Sequence, residues 1–596
     1  MRQSRRRRYR RALPTTAIAV VIGLVCATVI TTDVFGDRRP RDVFVAATVT
    51  IDPSPTTTAI ADSDVWGMTQ ADVDKTMDMI RASNVTSVRL MIPWAGVEAT
   101  KGSLDWSSID KTVNSAAARG LAVVGLVNAT PRWAVSTGGR YLSSRPASPE
   151  AYGEFVAKFV QRYVGKIAAV EIWNEPNAVT FYTPAPDPAG YVDLLKAAYP
   201  KVKNVDPSVV VLGGSLGSIV DVAVIAINPV AFLTQMYAAG AAPYFDALTF
   251  HPYHYNLKFS DGVGVANSAA LQTMQMRQIM VANGDESKRI WATEYGQPAS
   301  KGGEANQNAF IADMLLKWQE LPYAGPMFVY TTRDGRTGST QADKTCGIYR
   351  TDWTPKTAQQ TLKAGASGQI AKSQEFQRFS GVTDPALGTP LTPVFKTKDA
   401  TWAQVRTVST VYEGQSGFIA SPNPVAAKAG LYVVVPTGPF ANGYQDFNKT
   451  NGLRVWYSEA TGAHSGTKHV TDVYVPELGL ALTDESGGPT GTAMQFENGK
   501  VTWTPWAGSK ITWNPGHPTG TSATSTTTTT TVTTTTATTA PTTPTTQPTT
   551  PTTPSTTTFP TTPPATTTTP RPGAGNPLVA VLTLLSGLLG SLGGAR

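Results

Sequence analysis

The stretch Ala168-Ala169-Val170-Glu171-Ile172-Trp173-Asn174-Glu175-Pro176-Asn177 reads as a short, mostly apolar β-strand that stops on a polar turn, with a glutamate just past its end. A second stretch, Trp291-Ala292-Thr293-Glu294-Tyr295-Gly296, does the same more than a hundred residues later. Outward from these two, short β-rich runs alternate with helical patterns of about 10 to 16 residues, the signature of repeated βα units and a parallel sheet. The strands expected on this reading are Val65–Met68, Val85–Ile92, Leu121–Val127, Ala168–Trp173, Val209–Gly213, Ala247–Phe250, Arg289–Thr293 and Met327–Tyr330. Between them, Phe155, Val156, Phe159 and Val160 share one face of a helix over Ala151–Tyr163, with Ser148 and Pro149 as its start signal. Eight strands with crossover helices over some 300 residues predict a closed (β/α)8 TIM barrel, whose chemistry sits at the C-terminal ends of the strands. Glu175 and Glu294 both fall at that end.

The barrel is expected over residues 61–366, about half of the 596-residue chain. Residues 33–60 read as a polar spacer before it. Residues 367–515 turn to Gly, Asn, Pro and aromatics without long helical periodicity, a smaller β- and loop-rich accessory domain. It holds an internal echo: Phe447 to Gly452 leads into Val455-Trp456, and Phe496 to Gly499 into Val501-Thr502-Trp503, roughly 47 residues on. Residues 516–575 are mostly Thr and Pro, a composition that buries no core; at about 3.1 Å per residue fifty such residues reach on the order of 150 Å. Residues 576–596 form an apolar tail, read as interfacial or partner-binding.

The formal charge of +8 is concentrated at the N-terminus, where Arg2, Arg5, Arg6, Arg7, Arg8, Arg10 and Arg11 supply seven charges, leaving 8 − 7 = +1 for the rest. That balance implies no nucleic-acid partner. The arginines precede the apolar run Ala17–Ile30, so residues 1–32 have the layout of a secretory signal or of a retained signal anchor that would associate with the membrane. Either way the chain is expected to be exported. Only Cys26 and Cys346 occur, and the first lies in the export segment, so no intradomain disulfide framework exists and Cys346 reads as a small buried residue. No convergent Cys, His and Asp set suggests a metal, and no phosphate-cradling glycine loop follows a strand, so no cofactor is expected.

Two carboxylates on one scaffold are what glycosidic bond hydrolysis uses. The triplet Asn174-Glu175-Pro176 closing strand four, with Glu294 closing strand seven, resembles glycoside hydrolase clan A. The run Glu171–Asn177 and the later His251-Pro252-Tyr253 are most similar to families 5 and 39, including the iduronidase and xylosidase relatives. The resemblance implies a retaining double displacement, with Glu175 as acid/base and Glu294 as nucleophile. It further implies that Arg89 keeps Glu294 anionic, that Asn174 binds the sugar 2-hydroxyl, and that His251 and Tyr253 orient the nucleophile. Trp94, Trp133 and Tyr330 follow strands two, three and eight, where aromatic faces stack on sugar rings. The clan often has a tryptophan after strand eight, and here Tyr330 precedes Thr331-Thr332-Arg333-Asp334 instead. Glu171, four residues before Glu175, reads as barrel packing.

In the accessory region, Phe496-Glu497-Asn498-Gly499 with Trp503, and Leu478-Gly479 before Thr483-Asp484-Glu485, resemble LGFP repeats, which implies cell-wall attachment; an ordinary accessory β domain is the alternative. The expected function is a secreted or envelope-tethered retaining glycoside hydrolase acting on a polysaccharide or oligosaccharide, with cell-wall arabinogalactan as one substrate and β-glucan or xylan as the other. A non-catalytic cell-surface carbohydrate-binding protein and a wall-remodelling transglycosylase are the rival readings.

Overall fold

The computed structural model describes residues 50–517, so the export segment, most of the spacer, the Thr/Pro-rich stretch and the apolar tail lie outside the described residues. Eight parallel strands close a barrel in chain order: β1 (Thr58–Asp62), β2 (Ser87–Pro93), β3 (Ala122–Asn128), β4 (Ile167–Ile172), β5 (Val210–Gly217), β6 (Ala247–His251), β7 (Ile290–Tyr295) and β8 (Ala324–Tyr330). Closure is made by β1 against β8, with Thr58 beside Met327 and Ile60 beside Val329. A helix of ten residues or more follows each strand, from Gln70–Ala82 after β1 to Thr357–Ala366 after β8. The helix expected over Ala151–Tyr163 runs Pro149–Arg162, and the Ser148 hydroxyl caps it by accepting from the Ala151 N–H.

One expected strand is wrong. Val65–Gly67 is a turn of 3-10 helix, and the first strand lies upstream at Thr58–Asp62, beginning in the last residues of the stretch read as spacer. Its sequence, Thr-Ala-Ile-Ala-Asp, hides it because the inward positions are small. Ala59 and Ala61 face the barrel interior together with Ala169, Ala247, Trp291 and Phe328, while Ile60 joins the outer layer under the helices. The interior is thus filled by a few large rings surrounded by alanines. Gly325 belongs to the same arrangement, since a β-carbon there would lie 2.3 Å from Trp291 Cδ1.

Beyond the barrel, β9 (Phe395–Lys396), β10 (Trp402–Val405), β11 (Ser409–Gly414) and β12 (Gly417–Pro422) form an antiparallel sheet whose Phe395, Ala403 and Tyr412 share the barrel's outer core. Charge ties it down as well. Glu320 Oε2 accepts the Val394 N–H at 2.9 Å, and Lys317 Nζ spans Glu320 Oε1 at 2.9 Å and the Val394 carbonyl at 3.2 Å, all buried. The sequence echo takes the form of two antiparallel meanders: β13 (Tyr444–Phe447), β14 (Leu453–Ser458) and β15 (Gly462–Gly466), then β17 (Gly491–Phe496), β18 (Gly499–Thr504) and β19 (Gly508–Trp513), with β16 (Ser486–Gly488) at the edge of the second. Val455 pairs with Gln445 in the first, and Val501 with Met494 in the second. Among the described residues no helix is long and apolar enough to cross a membrane.

Candidate active site

Strand alternation sends Arg89 of β2, Glu171 of β4 and Thr293 of β7 into the barrel, where burial leaves each in need of partners. They satisfy one another. Arg89 Nε donates to Glu171 Oε2, Arg89 Nη1 to Glu294 Oε1, and Arg89 Nη2 to Asn174 Oδ1 at 3.1 Å. Thr293 Oγ1 donates to Glu171 Oε1 at 2.8 Å. Glu171 therefore packs inside the barrel as expected, and it also has a task the sequence did not disclose: it fixes the guanidinium that reaches both Glu294 and Asn174. Burial favours the neutral form of this arginine, but Glu171 and Glu294 outweigh it and raise its pKa.

Above this layer the chain leaves β4 through two residues in the left-handed region, Trp173 at φ 68° and Glu175 at φ 43°. Strain of this kind in residues other than glycine, about 1 to 3 kcal/mol each, persists where the surroundings over-determine it. Here the Trp173 N–H donates to the Val127 carbonyl at 3.1 Å, and the Glu175 N–H to the Ser215 carbonyl at 2.9 Å. The Glu175 carboxyl sits against Gly217, where a β-carbon would lie 3.1 Å from its carboxyl carbon. Only a glycine lets the end of β5 pass beneath it without contact.

His251, fully buried at the end of β6, joins the two glutamates. Its Nδ1 lies 2.8 Å from Glu175 Oε1 and 3.9 Å from Glu294 Oε2, and its Nε2 lies 3.3 Å from Ser215 Oγ. The clan resemblance assigned His251 to the nucleophile; in the structure its shorter contact is with Glu175, and it reaches Glu294 as well, at 3.9 Å. Tyr253 keeps the expected partner, its hydroxyl donating to Glu294 Oε2 at 3.1 Å. Because burial, reinforced by Glu294, pushes the phenol well above its usual range, Tyr253 stays a neutral donor. Burial alone would raise the Glu294 pKa, but His251, Arg89 and Tyr253 together hold it below its ordinary value, so the carboxylate form is favoured. Burial likewise pulls the His251 pKa down, while Glu294 and Glu175 pull it up, and the net direction is up. The two glutamates differ in access, with side chains 18% exposed for Glu175 and 6% for Glu294.

The expected aromatic platforms divide. Trp94 is fully buried, its ring stacked on Phe155 and its Nε1 donating to Glu98 at 2.8 Å, so it offers no face to a sugar and is corrected to a core residue. Trp133 is half-buried and stands edge-on to Trp94 at 5.2 Å, with Nε1 fixed by the Glu98 carbonyl and Lys101 over its ring. Tyr330 is half-buried at the end of β8. Cys346 is buried, and burial pushes its thiol up to about 12, the behaviour of an inert small side chain. Ser215, Gly217 and Glu98 are absent from the sequence reading, and Asn177 stands in it without a role. Asn177 alone carried a signal, standing two residues after Glu175 in the stretch that fixed the fold.

No protein-family model matches the chain, and no curated protein matches it. Among solved structures it is similar to a family 39 glycoside hydrolase from the gut symbiont Bacteroides cellulosilyticus WH2, with 19% identity over 61% of this chain and 71% of that one and a TM-score of 0.44. It is similar to a GH5_18 protein from Streptomyces cattleya in complex with GlcNAc (13% identity, 54% and 82% covered, TM-score 0.41) and to a monomeric β-xylosidase from Caulobacter crescentus CB15 (16% identity, 62% and 74% covered, TM-score 0.40). At such identities and scores the likeness assigns no activity. The site geometry must support the function by itself.

Proposed function

We propose that the chain is a retaining glycoside hydrolase. The observation that carries this is the shared histidine. With one nitrogen 2.8 Å from a Glu175 oxygen and 3.9 Å from a Glu294 oxygen, those oxygens lie at most 2.8 plus 3.9, or 6.7 Å, apart. That bound takes in the about 5 to 5.5 Å spacing of the carboxyl groups in retaining enzymes and reaches only the lower edge of the about 6.5 to 9.5 Å that inverting ones need to admit a water. Glu294, buried and anionic beneath Arg89, attacks the anomeric carbon as the bond from that carbon to the leaving oxygen breaks. Glu175, the more exposed carboxyl, gives its proton to that oxygen. It then takes a proton from water, whose oxygen attacks the same carbon and frees Glu294. Arg89 holds the Asn174 carbonyl oxygen, which leaves the Asn174 amide N–H groups to bind the sugar 2-hydroxyl. Trp133 and Tyr330 flank the sugar.

Export is supported by the arginine cluster ahead of Ala17–Ile30, and a wall polysaccharide such as arabinogalactan by the LGFP-like segments. The test is to offer the full-length chain a panel of aryl glycosides and wall fractions beside Glu175→Gln and Glu294→Gln. Sugar release with retained configuration, lost in both variants, and a 2-deoxy-2-fluoro glycoside trapped on Glu294 are expected. Equal release by all three proteins refutes the assignment.

A further inference from the structure

One part of the catalytic face has no place in the chemistry above. The β5–β6 connection, from Ile219 to Ile227, carries a single charge, Asp221, and is otherwise Val, Ile and Ala. Its tip is in solvent: Val224 is 74% exposed and Ile225 43%. Surface Val or Ile standing singly is ordinary, but an adjacent pair at the tip of a loop beside a candidate active site marks a binding surface.

The loop is also built rather than slack. The Val222 N–H donates to the Ala226 carbonyl at 2.9 Å and the Ile225 N–H to the Val222 carbonyl at 2.7 Å, with Ala223 at φ 40° completing the turn. Asp221 Oδ1 closes the base on the Asn228 N–H at 2.8 Å. The loop is then fastened to the turn that carries Glu175. The fully buried Asn177 donates to the Gly217 and Ile227 carbonyls at 2.9 and 3.0 Å and accepts from the Gly217 N–H at 2.9 Å. The Val179 N–H donates to the Ile225 carbonyl at 2.8 Å. The apolar tip and the Glu175 turn are thus one rigid piece.

Glu175 protonates the leaving oxygen on the reading above, and the inference rests on that role. The leaving group begins one bond beyond that oxygen, so a finger fixed to the Glu175 turn borders the leaving-group side of the cleft. Val179, bonded through its N–H to the Ile225 carbonyl, and Phe181 two residues on are half-buried apolar residues of the loop that follows the Glu175 turn. A polyhydroxylated leaving group gains little from exposed Val and Ile, while an alkyl or acyl chain gains from each methylene withdrawn from water. We propose that Val224 and Ile225, with Val179 and Phe181, form an apolar leaving-group subsite, and that the substrate is a glycoside whose aglycone side carries an alkyl or acyl chain.

The test uses the full-length chain and the sugar that the aryl glycoside panel identifies, presented as its methyl and its octyl glycoside. The expected ratio of kcat/KM, octyl over methyl, is at least tenfold for the wild type and close to one for the double variant Val224→Ser/Ile225→Ser, with the same Tm for both proteins. A wild-type ratio near one overturns the inference while leaving the hydrolase reading intact, and no release from any glycoside overturns the hydrolase reading. A ratio that survives the double substitution also overturns it. So does a loop that binds phosphatidylcholine vesicles in a Val224- and Ile225-dependent way without any octyl preference, which would make it a lipid-surface contact.

Discussion

Replacing Tyr253 by Phe removes one hydroxyl and little volume, and the structure gives that hydroxyl a single donated hydrogen bond, 3.1 Å to Glu294 Oε2. A hydrogen bond to a charged acceptor is worth about 1.5 to 3 kcal/mol, and its loss weakens the hold on the carboxylate form, so the Glu294 pKa should rise. The sign follows from the active form. On the proposed mechanism Glu294 attacks as a carboxylate; its pKa is depressed by His251 and Arg89 as well as Tyr253, and losing one donor raises it. The acid limb of the kcat/KM profile on an aryl glycoside therefore moves to higher pH. Stability tells the same story. A depressed carboxylate stabilises the fold above its unfolded value near 4.5 and loses that contribution as pH falls through the folded value. The Tyr253→Phe penalty in urea unfolding should thus be present at neutral pH and fade in acid. An acid limb that stays in place refutes the idea that Tyr253 tunes Glu294.

Asp62, buried at the end of β1, has its pKa pushed up from 3.8 to about 7 by burial and then by Asp64. The native state keeps its proton where the unfolded chain loses it, so the wild type loses stability as pH rises from about 4 to 7, and Asp62→Asn should gain on the order of 4 kcal/mol relative to it at pH 8 and nothing at pH 3, read from urea midpoints. Gly217→Ala presses a methyl to 3.1 Å from the Glu175 carboxyl carbon, and the few tenths of an ångström it displaces should lower kcat about tenfold with little change in KM or Tm. Glu320→Ala takes the acceptor from the Val394 N–H and the nearest carboxylate from the buried Lys317, which keeps the Val394 carbonyl and Glu375 at 3.6 Å, and should cost about 3 kcal/mol. In that variant the barrel and the β9–β12 sheet should still unfold in one transition, seen as coincident near-UV and far-UV signals.

The barrel was legible because seven of its strands announce themselves as short, mostly apolar runs closed by turn signals, and the register of a parallel barrel then forces Glu175 and Glu294 to one end. β1 escaped notice for the same physical reason that the barrel closes around it. A strand that backs onto Trp291 and Phe328 needs Ala59 and Ala61 at its inward positions, and alanine carries no strand signal. Trp94 misled because a tryptophan just past a strand end looks like a platform, whereas the neighbouring Glu98 takes its N–H and Phe155 its face. What sequence cannot express is connection between distant elements. Nothing local to His251 says that its nearest carboxylate is Glu175 rather than Glu294, because that choice is made by Ser215 and Gly217 on the strand between them.

These connections explain why the site divides into two layers. Below, Arg89 and Glu171 are placed by strand alternation and locked by their bonds to each other and to Thr293, so Glu294 inherits its low exposure and its charge from the barrel. Above, Glu175 is held by a strained turn, a glycine on β5 and an asparagine that also fastens the apolar loop. On the proposed mechanism the nucleophile works on the anomeric carbon and can be fixed by the scaffold. The acid must meet whatever leaves, so it belongs to the layer whose loops change most readily with the leaving group. Asn177 is where these two requirements meet: Asn177→Ala should loosen the apolar loop and the Glu175 turn together, lowering kcat on methyl glycosides and the octyl preference in the same protein. Loss of either one alone would show that the two are held separately.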